Sequence, residues 1–255
     1  MEPQDTAATV AAPKLSSFMT RMTNVFASPS ELYTEVAALP VQKSSWVIPF
    51  VFSLLLAFII TYVLYSNESL RHQIYDIQMR GVEKAVQEGR MTETQAERVR
   101  EQMEGSGPTM FMLIGGGFAV VMVTLTFFGA ALFLWLATKF GLKAAAGYSK
   151  FLEVSGLASL IAILGTIVLV LMMNAFDSLY ASPSLALAVL DSYDSQNKLH
   201  VVMSSLNVFS IWEVAVLGLG LSKISGKSTS AGMGVAFGLW ILWVVISTLL
   251  GLGIR

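Results

Sequence analysis

The 255-residue chain has no cysteine, only two histidines and only 13% charged residues. Without cysteine, disulfides, thiolate metal sites and cysteine nucleophiles are excluded, and nothing follows about redox compartment. The charged fraction is about half of what soluble domains carry, so water is not the chain's main solvent. A basic surplus is missing too. With a net charge of −1 and a pI near 6.1, neither nucleic-acid binding nor a polybasic lipid patch has an electrostatic footprint. Residues 1–45 contain no apolar run that would serve as a cleavable signal. The first span is therefore expected to act as a signal anchor, and the mature protein to keep its N-terminus.

Apolar residues take the place of charge, at 55% of the chain with a mean hydropathy of +0.66. They gather in five runs, 46–65, 110–138, 151–176, 201–222 and 231–254. The first is twenty residues without a charge, which at ~1.5 Å rise per residue crosses the ~30 Å hydrocarbon layer. Strands of this length would need a closed barrel of alternating polarity, and these runs are continuous, so helices are expected. The expected class is all-α: one integral membrane bundle of five transmembrane helices over 46–254, preceded by a segment at 1–45. The second run opens near Gly115, Gly116 and Gly117 and is longer than a span requires, so it is expected to begin outside the hydrocarbon or to tilt. Pro49 is expected in the first turn of its helix, where a missing N–H costs nothing.

Between the first two runs, residues 66–109 carry six Lys or Arg and eight Asp or Glu. This pattern predicts a charged helical hairpin outside the membrane. Its first helix, over 69–87, has Ile74, Ile77 and Val82 on one side and stops at Gly89. Thr92 and Gln95 form a capping box for a second helix ending near Glu104. In the N-terminal segment, 30–39 reads as a short amphipathic helix ended by Pro40, with Leu32, Tyr33, Val36, Ala37 and Leu39 resting on the interface. Short loops set orientation. Lys139, Lys143, Lys150, Lys223 and Lys227 fall on one face and Lys198, beside Asp177, Asp191 and Asp194, on the other. The expected topology has the N-terminus in the cytoplasm and the C-terminus outside, in a bacterial inner membrane.

Two charged residues fall inside the runs, and an ionisable group in a membrane is a functional hypothesis by default. Glu153 lies near the start of its helix, where the dipole favours a carboxylate, and reads as structural. Glu213, the thirteenth residue of its run, would sit ~18 Å into the layer, where a charge costs roughly 3 kcal/mol. Asn207 is six residues earlier, about 600° around the helix, so the two do not share a face. A protonated Glu213 bonded to Asn174, Ser159, Thr166, Thr124 or Thr126 is the structural account. A transport or proton-relay role is the functional one. Small residues mark candidate helix contacts at Gly234 and Gly238, at Ser155 and Ser159, and at Gly218 and Gly220, within one chain or between copies of a homo-oligomer.

Other chemistry finds no support. Gly226-Lys227-Ser228 lacks the Gly five residues earlier that a phosphate loop needs, where Leu221 stands. His72 and His200 both lie in loops, so no buried Ser–His pair forms, and no aspartate dyad or metal-ligand spacing occurs. No cofactor is expected.

Asn24-Val25-Phe26-Ala27-Ser28-Pro29-Ser30-Glu31-Leu32-Tyr33 ahead of the first span resembles the bacterial branch of the Yip (Ypt-interacting protein) domain family. Gly89-Arg90-Met91-Thr92, Gly147-Tyr148-Ser149-Lys150 and Asn207-Val208-Phe209-Ser210-Ile211-Trp212 continue the resemblance over roughly 15–252. It implies five membrane helices, a cytosolic N-terminal segment and no catalytic residues. Eukaryotic members are linked to Rab-type GTPases and vesicle traffic, whereas bacterial members imply no particular molecular role. Glu213 stands where the family pattern implies a small or apolar residue. The reading is a non-catalytic membrane scaffold, with the lipid bilayer and a membrane or cytosolic protein as partners. Phe26, Pro29, Leu32 and Tyr33 are the candidate contacts. The alternative is a small transporter or channel subunit using Glu213, Asn207 and Asn174, against which stands an odd number of spans without Gly-Pro interruptions.

Overall fold

The computed structural model describes residues 15–105 and 108–250. All regular elements there are helical apart from an isolated bridge between Ser184 and Asn207. Five helices are long and apolar enough to cross a membrane. They are α3 (Ser44–Ser66), α6 (Pro108–Gly141), α7 (Tyr148–Ala175), α9 (Val208–Ser225) and α10 (Thr229–Leu250). Before them come α1 (Phe18–Ala27) and α2 (Pro29–Ala38), and α4 (Glu68–Gln87), α5 (Glu93–Gly105) and α8 (Lys198–Ser205) lie in the connections. At 34 residues, α6 is ~51 Å long and exceeds the hydrocarbon thickness, as its sequence implied. The last residues of the fifth run, 251–254, lie outside the described residues.

The centre of the bundle is α7, which buries Phe151, Val154, Leu157, Ala158 and Ile161. Its neighbours approach through glycine. A Cβ on Gly156 would stand 2.5 Å from the Trp46 Cα, and one on Gly165 2.6 Å from the Phe209 Cβ. One on Gly220 would stand 2.5 Å from a Val154 methyl. With Asn67, just past α3, bonded to Asn174 near the end of α7, these contacts fix the directions: α3 runs parallel to α7 and α9 antiparallel to it. Gly218 against Met233, and Gly232 against Ser222, then turn α10 back along α9. Gly226, at φ +64, makes that reversal possible because the left-handed region costs glycine nothing. The candidate contact residues Gly234 and Gly238 have open space where a Cβ would go. Ser155 and Ser159 bond carbonyls of their own helix. On α3, α6 and α10, large apolar side chains such as Phe58, Leu125 and Leu242 are exposed, the surface lipid requires.

Three boundaries differ from expectation. Pro49 is the sixth residue of α3, not a first-turn residue, so it removes the donor that Ser45's carbonyl would otherwise have. That carbonyl oxygen is 2.7 Å from where a Gly156 Cβ would be, so the helices meet at the altered turn. The N-terminal segment forms two helices instead of one. Ser17 caps α1 by accepting from Thr20 N at 3.1 Å, while Pro29 opens α2 with φ already set for a helix. The fourth run is broken: Asn207 accepts from Phe209 N at 2.9 Å and starts α9 afresh. The Val208 N–H leaves the helix ladder to donate to the Pro183 carbonyl at 3.1 Å.

The connection between α3 and α6 contains the helices α4 and α5. Asn67 caps α4, Gly89 takes φ +68, and Thr92 and Gln95 exchange side-chain to backbone bonds of 2.9 and 3.3 Å. Leu70 is buried with Met173 and Leu179, and Ile74 and Ile77 pack around them.

Candidate functional site

Val25, Leu32, Tyr33 and Val36 are each at most 2% exposed and pack with Val154, Leu157, Ile161 and Val216. The N-terminal pair is thus sunk between α7 and α9 and does not rest on the interface. Phe26 stands edge-on to Trp212 at 5.7 Å, which places the Ser28–Pro29 turn at the depth of Trp212. By the antiparallel register, Trp212 is level with about Ala162, three turns along α7 from Lys150. Tyr33 donates to the Val154 carbonyl at 3.1 Å. Burial first, and the Glu213 carboxylate second, push its phenol above its ordinary range, so it remains a neutral donor. Of the candidate contacts, Leu32 and Tyr33 are enclosed in the protein's own core, while Phe26 and Pro29 are half-buried.

At the open end of this pair lies a buried ion cluster. Glu153 is 1% exposed, accepts hydrogen bonds from Lys150 Nζ at 2.7 Å and Gln42 N at 3.2 Å, and forms an ion pair with Arg21 Nη1 at 3.5 Å. Arg21 also donates to the Ser45 and Ser44 hydroxyls, and Lys150 donates to the Leu39 carbonyl at 2.8 Å. One carboxylate thereby ties α1, the α2–α3 link and α7 together. Removing it would strand two cations, at a cost on the order of 3–5 kcal/mol. Arg21 Nε is buried without a partner, and the cluster keeps one surplus positive charge. Sequence reasoning placed Glu153 near headgroup water and did not connect it with Arg21. The available signal was Arg21 at i−4 from Val25, an arginine on the buried stripe of a helix.

The intramembrane polar residues do not converge. Glu213 is half-buried and makes no hydrogen bond or ion pair among the described residues. Ser159, Thr166, Thr124 and Asn174 bond carbonyls of their own helices. Asn174 also accepts from Asn67 Nδ2 at 3.3 Å, at the far end of α7. Asn207 is spent on capping α9. Because α9 starts at Val208, Glu213 is its sixth residue and not mid-helix, yet the register sets it level with about Ile161, near the middle of α7. Beside the break at Asn207 is a small cleft between Leu169, Met173 and the stacked rings of Tyr180 and Tyr193. No group of three or more His, Asp or Glu among the described residues could hold a metal.

The Yip1 domain model matches residues 23–252. The chain belongs to the Yip1 domain family. It is 33% identical over 154 residues to the membrane protein YknW of Bacillus subtilis, covering 60% of this chain and 64% of that protein. The chain therefore spans slightly under two thirds of that relative's length. No solved structure gives a significant match. This Yip1-domain protein is a multi-pass membrane protein; Lys150 and Glu153 of the ion cluster lie inside the matched region, while Arg21 lies two residues ahead of it.

Proposed function

We propose that the protein is a non-catalytic membrane scaffold that engages a protein partner through its N-terminal helix pair, in a bacterial inner membrane with that pair facing the cytoplasm. The observation carrying this reading is the pair itself: two ten-residue helices too short to span, packed between α7 and α9 and tied to α7 by an ion cluster. A passive tail would need no such fixture. Lys139, Lys143 and Lys150 around the α6–α7 connection and Lys223 and Lys227 around the α9–α10 connection share the pair's end of the bundle, which supports a cytoplasmic placement. A photo-crosslinking residue at exposed Glu31 or Thr34, activated in native membranes, tests the reading. Discrete protein adducts are expected, and their absence from both positions would remove the basis for a scaffold.

A second reading, a small transporter, is favoured by the break in the fourth span. Discontinuous helices are a transporter device, and here the break lies two turns from a carboxylate with no bonded partner. Flux into proteoliposomes that Glu213→Gln abolishes would establish it, and flux unaffected by that change would dismiss Glu213.

A further inference from the structure

We infer that Glu213 is a docking point for a second membrane protein, and that the group it receives is a lysine or arginine carried at mid-bilayer depth on a transmembrane helix of that partner. The inference goes beyond the helix-pair contact and does not depend on it.

Glu153 shows what the chain does with a buried carboxylate when a base is at hand: it gathers Arg21 and Lys150 from the same chain. Glu213 has no such recourse. Residues 44–66, 109–138, 151–175, 208–222 and 229–250 contain no Lys, Arg or His, so the spans hold one acid at mid-depth and no base to meet it. Lys223, on the same helix, stands ten residues further on, ~15 Å along the axis and at the headgroup end. A neutral donor is not free either, because Tyr33 gives its proton to the Val154 carbonyl. A counter-charge for Glu213 therefore has to come from outside the chain.

The carboxylate is placed to receive one. Phe209, four residues earlier, and Gly220, seven residues later, meet α7, so Glu213 stands on the flank of that contact and is half-buried. Ionisable residues within a membrane pair with one another, and a lysine's four-carbon stem can carry its charge in from the lipid side. A partner helix with one base at this depth gains an ion pair in a low-dielectric medium. A helix with an apolar residue there gains nothing from Glu213, and one with an ionised acid is repelled.

The cysteine-free chain makes the test direct. A fluorescence donor on a single thiol at exposed Ser230→Cys reports association, in proteoliposomes, with acceptor-labelled peptides. Each peptide is the same leucine-rich transmembrane helix, which tolerates one central charge, and only its central residue differs. The central-lysine peptide should bind the parent on the order of fivefold more tightly than the central-leucine peptide. Glu213→Leu breaks no bond among the described residues and should bring that ratio to about one, whereas Glu213→Asp keeps the charge and should retain most of the preference. Equal binding of the two peptides by the parent would overturn the inference, as would a lysine preference that survives Glu213→Leu. A preference lost equally in Glu213→Asp would also overturn it, because the effect would then come from disturbing α9 and not from the charge. Tighter binding of a central-glutamate peptide than of the lysine one would do the same, by showing a protonated carboxyl that pairs with another acid, as a second copy of this chain would offer. The assay uses no ion gradient and leaves Glu31 and Thr34 unchanged, so its outcome is separate from flux and from crosslinking at the helix pair.

Discussion

Gly156→Ala should loosen the protein although it adds a single methyl to a helix. The new carbon would lie 2.5 Å from the Trp46 Cα and 2.7 Å from the Ser45 carbonyl oxygen. Both are backbone atoms, so no side chain can rotate away. Ordinary contact begins at 3.4 Å, so α3 must retreat from α7 by about 0.9 Å. Overpacking of this kind costs about 1–3 kcal/mol, and the helix propensity gained from alanine returns up to ~1 kcal/mol. Because the clash is with backbone, the upper end of that cost applies, and the balance is a net loss of ~2 kcal/mol, about a thirtyfold shift in the folded fraction. Gly238→Ala supplies the contrast, because its Cβ meets nothing within 4 Å and only the propensity gain of ~0.5–1 kcal/mol remains. Both variants can be compared by reversible unfolding in mixed micelles as denaturing detergent is raised. The reasoning fails if Gly156→Ala is as stable as the parent. A loss at Gly238→Ala would instead reveal a contact between copies, since the single chain offers none there.

Asn207→Ala removes the side-chain oxygen that receives Phe209 N and should cost about 1 kcal/mol, with Asn207→Ser recovering most of it. The same unfolding assay reads both, and equal stability of all three would mean the break in the fourth span needs no cap. Tyr33→Phe should cost about 1 kcal/mol at neutral pH through the lost bond to Val154 O. Its deficit should then shrink above pH ~10. There the unfolded chain releases the phenolic proton that the folded chain, with its raised pKa, retains, and the parent loses up to ~1.4 kcal/mol per pH unit. A constant deficit from neutral to strongly alkaline pH would show that Tyr33 ionises as freely folded as unfolded.

The spans were legible because bilayer physics leaves little choice. A run without charges longer than ~18 residues has to be a helix whose backbone satisfies itself. Capping signals were equally local, and Gly89, Thr92 and Gln95 act where their residue types say they should. The fourth span misled because its hydropathy continues through Leu206 while its capping does not. Asn207, two residues before Phe209, is an Asx cap in form, and apolar context concealed it. Likewise Gly234 and Gly238 have ideal spacing for helix contact, but which face of α10 meets α9 depends on Gly218 and Ser222 across the groove, and no single helix carries that information.

The N-terminal pair was misplaced for a deeper reason. Its ten-residue helices look peripheral by length and by the hydroxyls on one side, and amphipathic helices ahead of a first span commonly lie on lipid. What distinguishes docking into protein from lying on lipid is a charge on the wrong side. A lipid-facing stripe has no use for an arginine, yet Arg21 shares its stripe with Val25. Burying it is tolerable only beside a carboxylate, and among the spans Glu153 is the acidic residue at the same end of the bundle. Two residues that each looked unremarkable, an arginine in a tail and a glutamate in a first helical turn, explain one another once both are required to be buried. Glu213 has no such counterpart among the described residues, and that asymmetry separates a carboxylate that holds the fold together from one the fold does not use.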